Sequence, residues 1–333
     1  MRKQLITFLG IAILCVAGVT AYFYHVKRRT ASSGSARAAF ATSGSSRIYF
    51  RYTGVDENYG KLAVVSLTNL NAPQFIGALS CEVVNFANGS GICLQADRGI
   101  FTTYAATLFD SNFAKRATFP LHGGPSRARV SPDGKLAGFT VFVSGHGYAS
   151  LNFSTETLLV ESVTGKVVAS IEPDFRVTRD GKPFQAKDFN FWGVTFTSDS
   201  KHFYCTLSSA NTHYLIKGDI AKRTAVVLHE NVECPSVSPD GTRVAYKKRF
   251  KVDDRIIWQL HVLDLATKRE TPLAEKRSLD DQIEWLDDDH VLYTVSDKPE
   301  GSSGTTNVWK ADAAGTGTPA LFLPKAFSPS VVR

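Results

Sequence analysis

From Arg47 to Val332 the chain alternates apolar and polar positions in short runs rich in Val, Phe, Tyr and Thr, with Gly, Asp, Asn or Pro between runs. A period of two over four to eight residues predicts strands, and no long stretch carries the 3.6 period of a helix. The pattern repeats. Glu233 to Lys248, E-C-P-S-V-S-P-D-G-T-R-V-A-Y-K-K, predicts a strand, a tight turn at Pro239, Asp240 and Gly241, and a second strand at Val244 to Tyr246. Asp caps such a turn through its side chain, and Gly supplies a positive φ. Related hairpins centre on Asn88 to Gly91, Ser131 to Gly134, Ser198 to Ser200 and Asp287 to Asp289. Two more strands follow each hairpin: Phe101 to Phe109 with Arg116 to Phe119, Thr157 to Ser162 with Lys166 to Ile171, and Tyr214 to Asp219 with Thr224 to Leu228. The last two pairs are Trp258 to Asp264 with Glu270 to Leu273, and Asn307 to Ala311 with Ala320 to Leu323. Five four-stranded units result.

The leftovers define the architecture. Arg47 to Tyr52, Leu62 to Leu67 and Gln74 to Leu79 form three strands without an inner partner, and Ser328 to Val332 is a lone strand at the other end. Joined, they complete a sixth unit, so the expectation is an all-β circular array closed by pairing of the N- and C-terminal strands. Radial repetition protects sheet edges. The S-P-D-G-(K/T)-x-(L/V)-A hairpins at Ser131 to Ala137 and Ser238 to Ala245 resemble the repeats of TolB-type six-bladed β-propellers, which also occur in prolyl-oligopeptidase-type peptidases. The resemblance spans residues 47 to 332 and implies fold far more firmly than function.

Ahead of the repeats, Arg2 and Lys3 precede an uncharged run from Leu5 to Val26. About 20 apolar residues suffice to cross a bilayer, so residues 1–29 are expected to form one N-terminal transmembrane helix; a cleaved signal peptide is the alternative. Tyr22 to Tyr24 form an aromatic belt and Lys27 to Arg29 follow it. Residues 30–46, rich in Ser, Ala and Gly, read as a flexible tether, and 47–333 as the propeller. The expected placement is a membrane-anchored protein with an extracytoplasmic propeller, or a secreted one if the segment is cleaved.

The net charge of +7 does not point to nucleic acid, because the cations are scattered and five of them sit in the first 29 residues. Cys81, Cys93, Cys205 and Cys234 lack C-x-x-C spacing and read as buried strand thiols, with a Cys81–Cys93 disulfide the alternative for an exported domain.

In a propeller, the loops between units and those between second and third strands share one face around the axial channel. Asp280, Asp281 and Gln282 lead into one inner strand and Glu233 into another, so their side chains are expected to converge on the channel mouth. Such carboxylates suit a divalent cation or a cationic group, with turn capping as the alternative. Arg127, Asp188, Trp192 and His229 complete the binding candidates, with His122, His146 and His213 sharing that face without metal-ligand spacing. Glu172 to Phe191, long and mixed in charge and aromatics, reads as a flap over the channel mouth. G-x-S-x-G is absent, and no catalytic residue or cofactor is assigned. Asp281→Ala with Glu233→Ala is expected to weaken binding and spare stability.

The resemblance implies a protein-interaction or scaffold module of the bacterial cell envelope, acting as a monomer on a protein or envelope component. TolB-type proteins carry an α/β domain before the propeller; here the apolar run and tether precede Arg47, so the family's translocation role is not carried over. Two alternatives remain: a small-ligand or glycan sensor, marked by a deep open channel, and a metal-assisted hydrolase or lyase, marked by tightly bound metal.

Overall fold

The computed structural model describes residues 46–71, 74–144, 153–297 and 304–333, which form six sheets. Strands β1 (Arg47–Tyr52), β2 (Lys61–Ser66) and β3 (Phe75–Ser80) belong to blade 1. Blade 2 holds β4 (Val83–Ala87), β5 (Ser90–Arg98), β6 (Thr102–Asp110) and β7 (Lys115–Pro120). Blade 3 holds β8 (Gly124–Val130), β9 (Leu136–Ser144), β10 (Ser154–Glu161) and β11 (Val167–Ser170). After the short helix α1 (Ile171–Asp174), blade 4 gathers β12 (Arg176–Arg179), β13 (Lys182–Phe184), β14 (Asn190–Phe196), β15 (His202–Ser209), β16 (Thr212–Asp219) and β17 (Thr224–Glu230). Blade 5 is β18 (Glu233–Val237), β19 (Arg243–Val252), β20 (Arg255–Asp264) and β21 (Glu270–Pro272). Blade 6 is β22 (Glu284–Trp285), β23 (His290–Ser296), β24 (Thr306–Asp312) and β25 (Ala320–Leu323). The last strand, β26 (Ala326–Val332), returns to blade 1 and pairs antiparallel with β1, Arg47 opposite Val332 and Ile48 opposite Val331. The innermost strands β26, β4, β8, β14, β18 and β22 touch one another in that cyclic order, which sets blade 3 across the axis from blade 6.

The S-P-D-G turns show why that motif recurs. Ser131 Oγ donates to Asp133 Oδ1, which also accepts the Lys135 amide, and the Leu136 amide donates back to Ser131 Oγ. Ser238, Asp240, Thr242 and Arg243 repeat this arrangement. Gly134 and Gly241 both sit at φ +73°, a region that costs any residue with a Cβ. Adjacent turns are also stitched together. The Asp133 amide donates to Ser200 Oγ in the next blade, and the Asp240 amide to Asp288 Oδ1. The pleated faces between blades are apolar: Tyr49 of blade 1 stacks on Phe86 of blade 2 at 4.2 Å, and Phe119 of blade 2 packs against Phe139 of blade 3 at 5.9 Å.

Two expectations are revised. Glu172 to Phe191 does not lie as a flap over the channel: β12 pairs in parallel with β17, so the insertion extends the outer edge of blade 4. Its apolar side chains explain this, since Phe175 and Val177 are buried in the blade core while Arg176 between them faces water. Cys81 and Cys93 are not free thiols but a disulfide joining the exit of blade 1 to β5 of blade 2; Cys205 and Cys234 are free and buried. The expected transmembrane segment and tether lie outside the described residues. Among the described residues no helix is long and apolar enough to cross a membrane.

Candidate functional site

Residues Asp280 to Trp285, leading into and forming β22, hold the middle of the ring together. Asp280 Oδ1 accepts from Arg127 Nη2 of blade 3 at 2.7 Å and from Lys247 Nζ of blade 5 at 2.5 Å. Gln282 Nε2 donates to the carbonyls of Val194 in blade 4 and Pro235 in blade 5. Arg129 Nη2 reaches the Ile283 carbonyl at 2.9 Å and Glu284 Oε2 at 3.3 Å, while Glu284 Oε1 accepts the Val331 amide of blade 1. Blades 3 and 6 being opposite, Arg127–Asp280 and Arg129–Glu284 are two bridges across the axis. The channel is barred by side chains rather than open from end to end.

Either side of these bars lies a hollow. The mouth on the side of the S-P-D-G turns encloses about 290 Å³ among Arg129, Ser198, Ser238, Trp285 and Arg333. The opposite mouth encloses about 360 Å³ among Trp258, Arg277, Asp280, Thr294 and Phe327.

Glu233 and Asp280 do converge, and the cation between them is supplied by the chain. Lys247 is wholly buried in β19, 3.6 Å from Glu233 Oε2, with its ammonium 4.4 Å from the Trp258 ring centroid. Burial works against its charge, but Asp280, Cys234 and Glu233 outweigh burial and hold the Lys247 pKa above its ordinary value. Burial likewise pushes Asp280 upward, and the charges of Lys247 and Arg127 reverse that and hold it below the usual carboxylate range. Glu233 Oε1 also accepts from Trp258 Nε1 at 3.0 Å and lies 3.4 Å from His213 Nδ1.

The other candidates separate. Asp281 faces inward, its two oxygens accepting the Gln282 and Thr294 amides, and burial raises its pKa. It is an interior cap. Trp192 is fully buried on β14 against Phe153 and His213 and lines no open surface. Asp188 caps the β15–β16 turn through Ser209 Oγ and the Ala210 amide. His229 sits on β17, the fourth strand out from the axis in blade 4, and pairs with Glu270 on β21 of blade 5 at 2.7 Å, away from the channel-lining strands. His122 pairs with Glu156, and His146 lies outside the described residues. The sequence reading missed Lys247, Arg129 and Glu284. Arg127 and Arg129, two apart on an inner strand, carried the detectable signal, since alternate residues share one face. Lys247 carried none, because Lys248 beside it is an equal candidate by composition.

The face with the unit-to-unit loops also carries exposed apolar tips. Ile100 and Phe101, in the β5–β6 loop, are 97% and 83% exposed, and Val55, in the β1–β2 loop, is 85% exposed. Arg51 and Arg98 meet at Glu82, and Arg51 lies over the Tyr59 ring, so the bases of these loops are tied together.

No protein-family model matches the chain, and no curated protein matches it in sequence. Solved structures do match. TolB from Acinetobacter baumannii superposes with a TM-score of 0.59 at 17% identity, over 86% of this chain and 66% of that one. The fold is that of a TolB-like six-bladed propeller. The TolB-like propeller also matches a chain of a nidogen/laminin complex, with a TM-score of 0.55 at 11% identity over 86% of this chain and 98% of that one. The chain thus spans just under two thirds of the TolB chain, and at these identities the likeness is one of fold.

Proposed function

We propose that this chain is a membrane-tethered, extracytoplasmic interaction module of the bacterial cell envelope, which takes a protein or envelope component on the face bearing the unit-to-unit loops. The carrying observation is the barred channel beneath exposed apolar loop tips. A pore crossed by Arg127–Asp280 and Arg129–Glu284 offers no through-path for a substrate, whereas exposed Ile100, Phe101 and Val55 suit contact with a partner. Tethering rests on the apolar run from Leu5 to Val26, and export on the Cys81–Cys93 disulfide, a bond that persists in oxidising compartments. The module acts as a monomer in this reading, with no catalytic residue and no cofactor.

The test is a photo-crosslinking residue at position 101 of the full chain in its native membrane, with position 167, exposed on blade 3, as control. One discrete adduct at 101, lost in Ile100→Ser and absent at 167, supports the reading. Equal labelling at both positions, or none at 101, overturns it.

A further inference from the structure

Between blades 3, 4 and 5, on the same face but away from the apolar tips, lies a cleft of about 540 Å³. That is ample for a small organic molecule, since such sites run from about 300 to 1,000 Å³. Arg249 and Lys187 line it, together with the amide side chains of Asn190 and Asn211 and the rings of Phe153 and Phe189. Arg249 is half-buried, and among the described residues no carboxylate lies within ion-pair distance of it or of Lys187. Its guanidinium is instead held by neutral groups: Nη1 lies 3.3 Å from Asn211 Oδ1 and 3.4 Å from His213 Nε2.

His213 is 6% exposed and forms part of the cleft wall. Burial, opposed by Glu233 and assisted by Arg249 and Lys247, lowers its pKa, so the ring is neutral near pH 7. With Nδ1 turned to Glu233 Oε1, Nε2 is the acceptor facing Arg249. Two acids, Asp188 and Glu172, also line the cleft; Asp188 is engaged by Ser209 and Ala210, and neither acid lies within ion-pair distance of Arg249 or Lys187.

We propose that this cleft binds a small organic oxyanion, a carboxylate or a phosphate ester, with its charged group on Arg249 and Lys187 and an apolar or aromatic part between Phe153 and Phe189. Guanidinium presents parallel N–H donors that match both oxyanions, and a half-buried cation without a carboxylate is a group left for such a ligand to neutralise. The proposal is independent of the protein-interaction reading, because it uses none of Val55, Ile100 or Phe101.

Isothermal titration calorimetry of the full chain at low salt tests it with three ring-bearing probes: phenyl phosphate, phenylacetate and benzylamine. Saturable binding of at least one anion and none of the amine is expected. Arg249→Gln should weaken it by about tenfold or more and Lys187→Gln by about threefold, since a charge-assisted bond is lost in each. A tighter phenyl phosphate assigns the site to phosphate esters, and a tighter phenylacetate to carboxylic acids. Lys187 is exposed, so its variant keeps the fold even if the Arg249 variant does not. No saturable heat from either anion, equal affinity for benzylamine, or binding within about twofold of wild type in Lys187→Gln overturns the proposal.

Discussion

Replacing Lys247 by Met keeps the length and apolar stem of the side chain and deletes one buried charge. Two carboxylates then lose their common cation. Breaking a buried pair by removing one partner costs about 3 to 5 kcal/mol, and three contacts decide where in that range the change falls. Asp280 keeps Arg127 at 2.7 Å, and Glu233 keeps Trp258 Nε1 at 3.0 Å and His213 at 3.4 Å, so neither is left without a donor. The lower end applies, about 3 kcal/mol, with a fall in Tm of about 6 °C at about 2 °C per kcal/mol for a domain of this size. Urea unfolding at pH 7 reads this directly, provided the slope is unchanged. Adding Glu233→Gln to Lys247→Met should restore about 1 kcal/mol, because the second change removes the charge that the first stranded. A single variant within about 0.5 kcal/mol of wild type, or a double variant less stable than the single, would refute the view that Lys247 neutralises this pair. The same reasoning reverses the expectation for Asp281→Ala with Glu233→Ala. Both residues are buried partners of backbone or charge, so the pair should unfold more readily rather than spare stability.

His261 is 7% exposed between the Tyr246 and Phe250 rings, and burial, with Lys248, lowers its pKa from 6.5 to about 4. Between those values the unfolded chain binds the proton and the folded one does not, so stability falls as pH drops from about 6.5 to about 4, by about 3 kcal/mol; in His261→Leu, unfolding curves across that window should flatten by that amount. Gly134→Ala and Gly241→Ala meet the same φ, but a Cβ at 134 would lie 2.5 Å from the Asn88 carbonyl while 241 faces open space. Calorimetry should show a loss of about 1 kcal/mol at 241 and about 3 kcal/mol at 134. Reduction of Cys81–Cys93, which closes a short loop, should lower stability by about 2 to 3 kcal/mol in urea unfolding with and without reductant.

The strands and their grouping were legible because a period of two and the S-P-D-G turn are local signals. Ser131 with Asp133, and Ser238 with Asp240, build their turns within five residues. The return of Ser328 to Val332 to blade 1 was legible as a count, one strand too few at one end and one left over at the other. What failed was side-chain direction at long range. Asp280 and Glu233 were placed together correctly, but their partner Lys247 comes from a second strand whose neighbouring lysine points elsewhere, to Glu270. His229 was misplaced because loop adjacency in sequence does not reveal distance from the axis: the strand bearing it is the fourth out from the axis. The stretch from Glu172 to Phe191 misled by length alone, when Phe175 and Val177 already had the spacing of a strand face.

The pairing of β26 with β1 has a consequence for how the chain is made. The innermost member of the first sheet is made after every other described strand of the ring, so until residue 332 emerges, β1 presents a bare hydrogen-bonding edge. Until then the nascent polypeptide holds an open seam, and a deletion of 326–332 would leave that seam to recruit the same segment from another copy.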